Sequence, residues 1–109
     1  MATKETYQQI MCDLQEVAKN ILPCNAHMYL YGSRARGEAH EDSDWDILIL
    51  LDQNSVNSED FNNFAYPLVE LGWKLNAAVS PQIYTLKEWS AMSFMPYHKN
   101  VEHDKIVLV

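Results

Sequence analysis

The chain has 109 residues, of which 48% are hydrophobic and 11% aromatic, enough apolar side chains for one packed core. We therefore expect a single domain over residues 1–109. The formal net charge of −7 at pH 7 excludes the basic surface that holds a nucleic-acid backbone, so no direct nucleic-acid binding is expected.

The start of the chain and its apolar runs bear on its location. The opening residues MATKETYQQI are polar and lack the apolar segment of a secretory signal. The longest uninterrupted aliphatic run is Ile47–Leu51, whereas a membrane helix needs about 20 apolar residues. We expect a cytoplasmic protein without membrane contact. Cys12 and Cys24 lack the spacing of a zinc site or a redox pair and are expected to be free thiols.

The first predicted elements are a helix and a strand. The apolar residues that recur at helical spacing are Tyr7, Ile10, Met11, Leu14, Val17, Ala18 and Ile21. Thr3 or Thr6 is available as the cap, and Pro23 follows the end of this helix. Residues 27–31, HMYLY, are short and aromatic-rich, which predicts a strand that stops at Gly32.

A second strand and a second long helix are expected next. Residues 45–51 are aliphatic and too few for a typical helix, which favours a central strand buried on both faces. After a polar loop, Ser58 with Glu59 and Asp60 predicts a helix start, the acids lying at the positive end of the helix dipole. Pro67 should kink or split this helix.

The remaining elements are predicted from residue 75 onwards. Residues 75–84 indicate a third strand, in which Pro81 suggests an edge position or a bulge. Thr85 and Glu88 match a capping box that opens a short helix. The tail should form a small helix or turn and then a short strand over 106–109. The order of elements predicts an α/β fold with a small mixed β-sheet packed by helices.

Gly32 and Ser33 follow the first predicted strand directly. A glycine lets the backbone approach a phosphate closely, and the serine hydroxyl and nearby N–H groups can donate to it. A Gly-Ser pair by itself more often marks an ordinary turn.

Asp44 and Asp46 stand at the start of the second predicted strand. Residues two apart in a strand project from one face, so both carboxylates should meet at one point. Carboxylate oxygens suit Mg²⁺, which also binds substrate phosphates. The alternative is a solvated start of a strand, which acidic runs commonly mark.

The combination is more specific than its parts. "GS" at 32–33, Gly37, and "SDWD" at 43–46 running into "ILIL" together resemble the nucleotidyltransferase signature of the DNA polymerase β superfamily. The resemblance is strongest to the minimal nucleotidyltransferases, and it covers most of the chain. It implies the nucleotidyltransferase fold, similar to the polymerase β palm, with a site for two Mg²⁺ ions and a nucleoside triphosphate, ATP being favoured.

The resemblance also assigns roles to individual residues. Asp44 and Asp46 would be the catalytic, metal-binding carboxylates. Contact with the nucleotide and its phosphates would fall to Gly32, Ser33, Arg34 and Ser43. Gly37 would turn the short helix back, and Ser43 would also cap or orient the loop before the aspartates.

The two arginines of the turn have a second interpretation. Arg34 and Arg36 could each meet phosphate, or could pair with local acids such as Glu38, Glu41 or Asp42.

One departure from the family pattern concerns a third carboxylate. Active members carry it on the next strand, whereas residues 71–87 contain no Asp or Glu. Ala78 or a neighbour occupies the expected position, and Asn76 could offer an amide oxygen. The metal site is therefore expected to be incomplete, and whether the protein turns over is left open.

Two functions follow from these observations. The first is an enzyme: Mg²⁺-dependent transfer of a nucleoside monophosphate from a triphosphate to an acceptor hydroxyl, which could lie on a partner protein. The second is a catalytically weakened, antitoxin-like module that binds a helical HEPN-type protein, as small members of the family do in toxin–antitoxin-like pairs. A homo-oligomer is also expected, because so small a chain exposes sheet edges.

Overall fold

The structure, a computed structural model, describes the backbone of residues 4–109 and the side chains of residues 6–109. The helices are α1 (Lys4–Ile21), α2 (Ser33–Arg36), α3 (Ser58–Asp60), α4 (Tyr66–Lys74), α5 (Leu86–Ala91) and α6 (Pro96–Asp104). The strands are β1 (His27–Tyr31), β2 (Trp45–Leu51), β3 (Val79–Thr85) and β4 (Ile106–Val107). A π-helical segment, Phe61–Ala65, joins α3 to α4.

The four strands form one mixed sheet in the order β3-β2-β1-β4. Strand β1 pairs antiparallel with both β2 and β4, and β2 pairs parallel with β3. The register brings Tyr31 opposite Asp46 on one side and Ser80 opposite Asp46 on the other. The end of β1 and the starts of β2 and β3 therefore meet at one edge of the sheet. The predicted α/β class with a small mixed sheet is confirmed.

Helices cover both faces of the sheet, as alternating residues of β2 show. Trp45, Ile47, Ile49 and Leu51 pack in a large apolar core against α1 and α4, while Leu48 and Leu50 pack in a smaller one with α5 and α6. Because β2 is central, it is apolar on both sides, as predicted. Among the described residues, no helix is long and apolar enough to cross a membrane.

The predicted bounds of the first elements hold, with two corrections at helix caps. Strands β1 and β2 occupy the predicted residues. Thr6 lies within α1 and is not its cap, and Thr3 lies outside the described residues. The cap of α3 is Asn57 rather than Ser58: its side chain accepts from the Asp60 N–H, and the Asp60 carboxylate accepts from the Asn57 N–H, both at 3.0 Å.

The predicted effect of Pro67 takes the form of a π-helical segment. Proline cannot donate a backbone hydrogen bond, and its ring crowds the carbonyl one turn earlier. Here the Tyr66 N–H donates to the Phe61 carbonyl, five residues back, so the helix widens by one residue just before Pro67. The proline then occupies the first turn of α4, where a missing N–H costs nothing.

The third strand begins four residues later than predicted. Residues 75–78 form the turn after α4, with Asn76 in the left-handed region at φ 56° and the Ala77 N–H donating to the Gly72 carbonyl at 2.8 Å. Asparagine tolerates this conformation better than most residues. Strand β3 is an edge strand, as Pro81 indicated, and the Thr85–Glu88 capping box is confirmed.

Candidate functional site

Gly32 and Asp46 lie close together where the strand ends converge. Gly32 has φ 75°, a conformation that favours glycine, and a Cβ added to it would collide with the Asp46 carboxylate oxygen Oδ2. The predicted phosphate turn and the predicted metal carboxylate therefore lie against each other. The glycine is required here both by its conformation and by this approach.

The turn after Gly32 is a single helical turn closed by a second glycine. The Ala35 and Arg36 N–H groups donate to the Gly32 carbonyl at 3.0 and 3.1 Å, and the Gly37 and Glu38 N–H groups donate to the Ser33 carbonyl. Gly37 has φ 74°, and nothing lies within 4 Å of the position of an added Cβ. It turns α2 back, as predicted.

Asp44 and Asp46 occupy different environments although they are two residues apart. Asp44 is exposed and precedes β2, whereas Asp46 is half-buried within it. Burial and the nearby charge of Asp44 raise the pKa of Asp46, and the Arg36 guanidinium opposes the shift. A divalent cation would relieve this repulsion, so the pair suits Mg²⁺ in both donor chemistry and charge.

The third carboxylate of active relatives has no counterpart here. Ala78 precedes β3, and its carbonyl accepts from the Trp45 N–H at 2.7 Å. The residue in register with Asp46 on β3 is Ser80, and β3 itself contains no Asp or Glu. Across residues 6–109, no three His, Cys, Asp or Glu side chains are gathered closely enough to hold a metal ion.

Asn76 does not replace that acid at the aspartate pair. It lines a cavity of about 470 Å³ with Trp45 and Arg34. The Trp45 side chain belongs to the large core, on the face of the sheet opposite to Asp46.

Arg34 is buried and points into the protein. Its guanidinium lies 4.6 Å from the centre of the Trp45 ring and donates to the carbonyls of Ser43, at 2.9 Å, and Glu41, at 3.4 Å. In this arrangement Arg34 supports the loop before the aspartates. Its predicted contact with phosphate stays a prediction, one that would require the guanidinium to leave Trp45.

Ser43 organises the same loop. Its hydroxyl accepts from the His40 N–H, and its own N–H donates to the His40 carbonyl, both at 3.0 Å. The expectation that Ser43 orients the loop is confirmed. Contact between Ser43 and a nucleotide stays a prediction. The bond from His40 uses the Ser43 hydroxyl only as an acceptor, so its proton can still be donated to a nucleotide.

Arg36 pairs with local acids, the second of the two interpretations. Its guanidinium donates to Glu38 at 3.0 Å, as considered, and also to Asp104 at 2.6 Å. Asp104 lies 68 residues further along the chain, so no spacing in the sequence could have indicated it.

Two tyrosines near Asp46, Tyr31 and Tyr97, and a third that contacts Tyr97, Tyr84, were not anticipated. Tyr31 is opposite Asp46 in the sheet, the hydroxyls of Tyr31 and Tyr97 are 3.1 Å apart, and Tyr84 packs in the same small core. Burial raises the pKa of all three, and the charge of Asp46 adds to the rise at Tyr31 and Tyr97. They are neutral hydroxyl groups at neutral pH. Only Tyr31 carried a signal in the sequence, as the neighbour of Gly32.

The fold resembles solved structures of toxin–antitoxin proteins. One, a toxin–antitoxin with AMP-PNP, has a TM-score of 0.60 and 19% identity, covering 91% of this chain and 72% of that one. Another, a tri-AMPylated Shewanella oneidensis HEPN toxin in complex with MNT antitoxin, has a TM-score of 0.56 and 16% identity, covering 94% and 71%. At these identities the likeness concerns the fold. No curated protein matches the sequence at a significant level.

A family model describes nearly the whole chain. The model for the nucleotidyltransferase domain matches residues 11–109, which include the Gly-Ser turn, both aspartates and all four strands. The match extends far beyond the signature residues. Together with the contact of Gly32 with Asp46 at the sheet edge, it establishes that the chain belongs to the nucleotidyltransferase domain family.

Proposed function

We propose that the protein is a Mg²⁺-dependent nucleotidyltransferase, which moves a nucleoside monophosphate from a triphosphate, ATP being favoured, to an acceptor hydroxyl. The observation that carries the proposal is the contact of the Gly32 backbone with the Asp46 carboxylate. In this arrangement a phosphate held at the turn lies beside the metal-binding carboxylates. The family membership makes transfer chemistry the natural use of that arrangement.

The residues where the ends of β1, β2 and β3 meet each have a role in the proposed reaction. The Gly32 and Ser33 backbone and the Ser33 hydroxyl hold the phosphates, since amides at the start of a helical turn have no acceptor within it. Ser43, positioned by Arg34, fixes the loop that presents Asp44 and contributes a hydroxyl to the nucleotide.

Asp44 and Asp46 would hold the Mg²⁺. The ion would neutralise the charge of the phosphates and polarise the oxygen that is attacked or leaves. In the transfer, the acceptor oxygen bonds to the α-phosphorus while the bond from that phosphorus to pyrophosphate breaks. With Ser80 opposite Asp46, the chain supplies no third carboxylate on β3 for the acceptor's proton.

The first experiment is a calorimetric titration of ATP with Mg²⁺ into the protein and into the Asp44→Asn, Asp46→Asn double variant. We expect metal-dependent binding that the double variant loses. Equal binding by both proteins, or binding unaffected by a chelator, would contradict the assignment of the aspartates. Release of pyrophosphate by the wild type, above the Asp44→Asn background and with a supplied acceptor, tests catalysis separately.

A second candidate function is a binding module that pairs with a helical HEPN-type protein. The lack of a carboxylate on β3 favours it, because the loss of a third acid weakens catalysis more than nucleotide binding. The structural relatives include a complex of an MNT antitoxin with a HEPN toxin.

The substitution Ser80→Asp separates the two candidates. If the chain is a weakened enzyme, the added carboxylate should increase pyrophosphate release without changing ATP affinity more than a few-fold. If the chain is instead a binding module, pull-down from native cells should recover a helical protein in stoichiometric amount. Recovery of none would count against that reading. Cytoplasmic location and self-association remain part of the proposal.

A further inference from the structure

The last helix, α6, contacts the phosphate turn at two separate points. Tyr97, near its start, places its hydroxyl 3.1 Å from that of Tyr31, the residue before Gly32. Asp104, at its end, accepts from Arg36 at 2.6 Å, just before Gly37. The two ends of one helix thus hold the two ends of one turn.

The contacts arise from a single stripe of α6. Tyr97, Val101 and Asp104 are spaced by four and three residues, so they lie on the same side of the helix. Val101 is fully buried with Leu48 and Leu50 of β2. The apolar middle of the stripe anchors the helix on the sheet, while its polar ends reach the turn on β1 and α2.

The ion pair of Arg36 with Asp104 differs from an ordinary surface pair. The Asp104 side chain is 8% exposed, compared with 66% for Glu38, the other partner of Arg36. A carboxylate shielded from water interacts with a guanidinium more strongly than an exposed one does. Asp104 is therefore the partner that restricts the position of Arg36.

The turn is held from two sides: the Tyr7 hydroxyl of α1 donates to the Arg34 carbonyl at 3.1 Å, and α6 contacts both ends of the turn. Helix α2 has four residues, and its glycines at both ends have the largest conformational freedom of any residue. A site for phosphates works only if its backbone donors are fixed before the ligand arrives. The described contacts of its side chains beyond the local loop run largely through α6 and through Arg34.

We propose that α6 braces the phosphate turn, and that Asp104 and Tyr97 are positioning residues for nucleotide binding although neither reaches the nucleotide. The expected effect on nucleotide binding rests on the proposed function. The restraint of the turn by α6 does not depend on that function. The inference depends on two contacts, that of Tyr31 with Tyr97 and that of Arg36 with Asp104.

The test compares Asp104→Asn and Tyr97→Phe with a matched control on the same helix. Glu102→Gln removes the charge of the α6 side chain that accepts from Trp89, at 2.8 Å, and from Lys105, at 2.9 Å, and it leaves the contacts of α6 with the turn untouched. The first measurement is amide hydrogen exchange at residues 35–38. We expect faster exchange in Asp104→Asn and Tyr97→Phe, no change in Glu102→Gln, and recovery in Asp104→Glu.

The second measurement is the affinity for ATP with Mg²⁺. We expect it to fall about tenfold in Asp104→Asn and to stay unchanged in Glu102→Gln, as for other groups that orient binding residues from outside the site. Faster exchange in a protein whose wild type binds no ATP would support the brace and contradict the proposed function. Unchanged exchange in Asp104→Asn, or equal effects of Glu102→Gln, would overturn the brace.

Discussion

The two faces of strand β2 are built differently. The face that carries Trp45, Ile47 and Ile49 packs against α1 and α4 in a continuous apolar core. The face that carries Asp46 packs against α5 and α6, where buried apolar groups alternate with polar contacts such as Tyr31 with Tyr97 and Trp89 with Glu102. The apolar face provides stability, and the polar face positions the groups proposed to act.

This difference explains how a short chain can carry an unfavourable site. Placing Asp46 beside Asp44 and partly removing it from water costs free energy. The large core on the opposite face of the same strand compensates for that cost. We therefore expect stability and nucleotide binding to respond to substitutions on different faces.

The largest expected effect on stability is in the apolar core. Leu14 of α1 is fully buried, so Leu14→Ala should lower the free energy of unfolding by about 2–5 kcal/mol, through lost burial and a residual cavity. Denaturant unfolding measures it. Trp73→Ala, at an exposed position, should change the value by less than about 0.5 kcal/mol. A comparable loss in both variants would refute the assignment of stability to the buried side chains of this core.

The next prediction distinguishes two reasons for glycine in the turn: a positive φ, and the close approach of a neighbouring side chain. Gly32→Ala and Gly37→Ala both place alanine at positive φ, which costs about 1–2 kcal/mol. Only the Cβ at position 32 meets Asp46, so only Gly32→Ala should also abolish Mg²⁺-dependent ATP binding. Thermal unfolding and calorimetry on the two variants check this. Equal loss of ATP affinity in both would mean that the contact with Asp46 has no special importance.

A substitution of Asp46 should have a smaller effect on the free energy of unfolding, and the effect should be stabilising. The substitution Asp46→Asn should stabilise the metal-free protein at neutral pH, by less than about 1 kcal/mol because the group is partly exposed, while removing metal-dependent binding. The raised pKa means that the folded protein holds this proton more tightly than the unfolded chain does. The wild type should therefore regain stability relative to the variant as the pH falls through the raised pKa of Asp46, and the gain should be complete below the ordinary pKa of aspartate. Unfolding in a chelating buffer between pH 3 and pH 7 measures it, and a variant less stable at pH 7 would contradict the prediction.

The smallest effect concerns Glu102 on the polar face. Burial alone would raise the pKa of Glu102, but hydrogen bonds from the Trp89 N–H and the Lys105 ammonium together lower it. Its contribution to stability is present above the ordinary pKa of glutamate and is lost as the pH falls through the lowered value. Glu102→Gln should cost less than about 1 kcal/mol at pH 7 and nothing at acidic pH. A loss of stability independent of pH would show that packing, rather than charge, is involved.

Local patterns predicted those parts of the molecule that neighbouring residues determine. The bounds of β1 and β2, the capping box at Thr85 and the edge position of β3 follow from short aromatic and aliphatic runs, side-chain caps and proline chemistry. The start of β3 was predicted four residues early. The apolar residues 75–79 fit a strand equally well, and the turn depends on the contact of Ala77 with Gly72.

The candidate site divides in the same way. The pairing of Gly-Ser with two aspartates two residues apart could be recognised in the sequence, because it is a local signature. The roles of Arg34 and Arg36 could not be decided there, since each has partners set by the fold: Trp45 and the loop for Arg34, and Asp104 for Arg36.

The sequence by itself determined the class of the fold, the position of the phosphate turn and the pair of carboxylates, because periodicity, glycine and spacing act within a few residues. Only the tertiary structure decided that Gly32 touches Asp46, that Ser80 lies opposite Asp46, and that α6 contacts the turn through Tyr97 and Asp104. These facts depend on strand register and on contacts between residues as far apart as Arg36 and Asp104. Such contacts form only when the whole chain has packed.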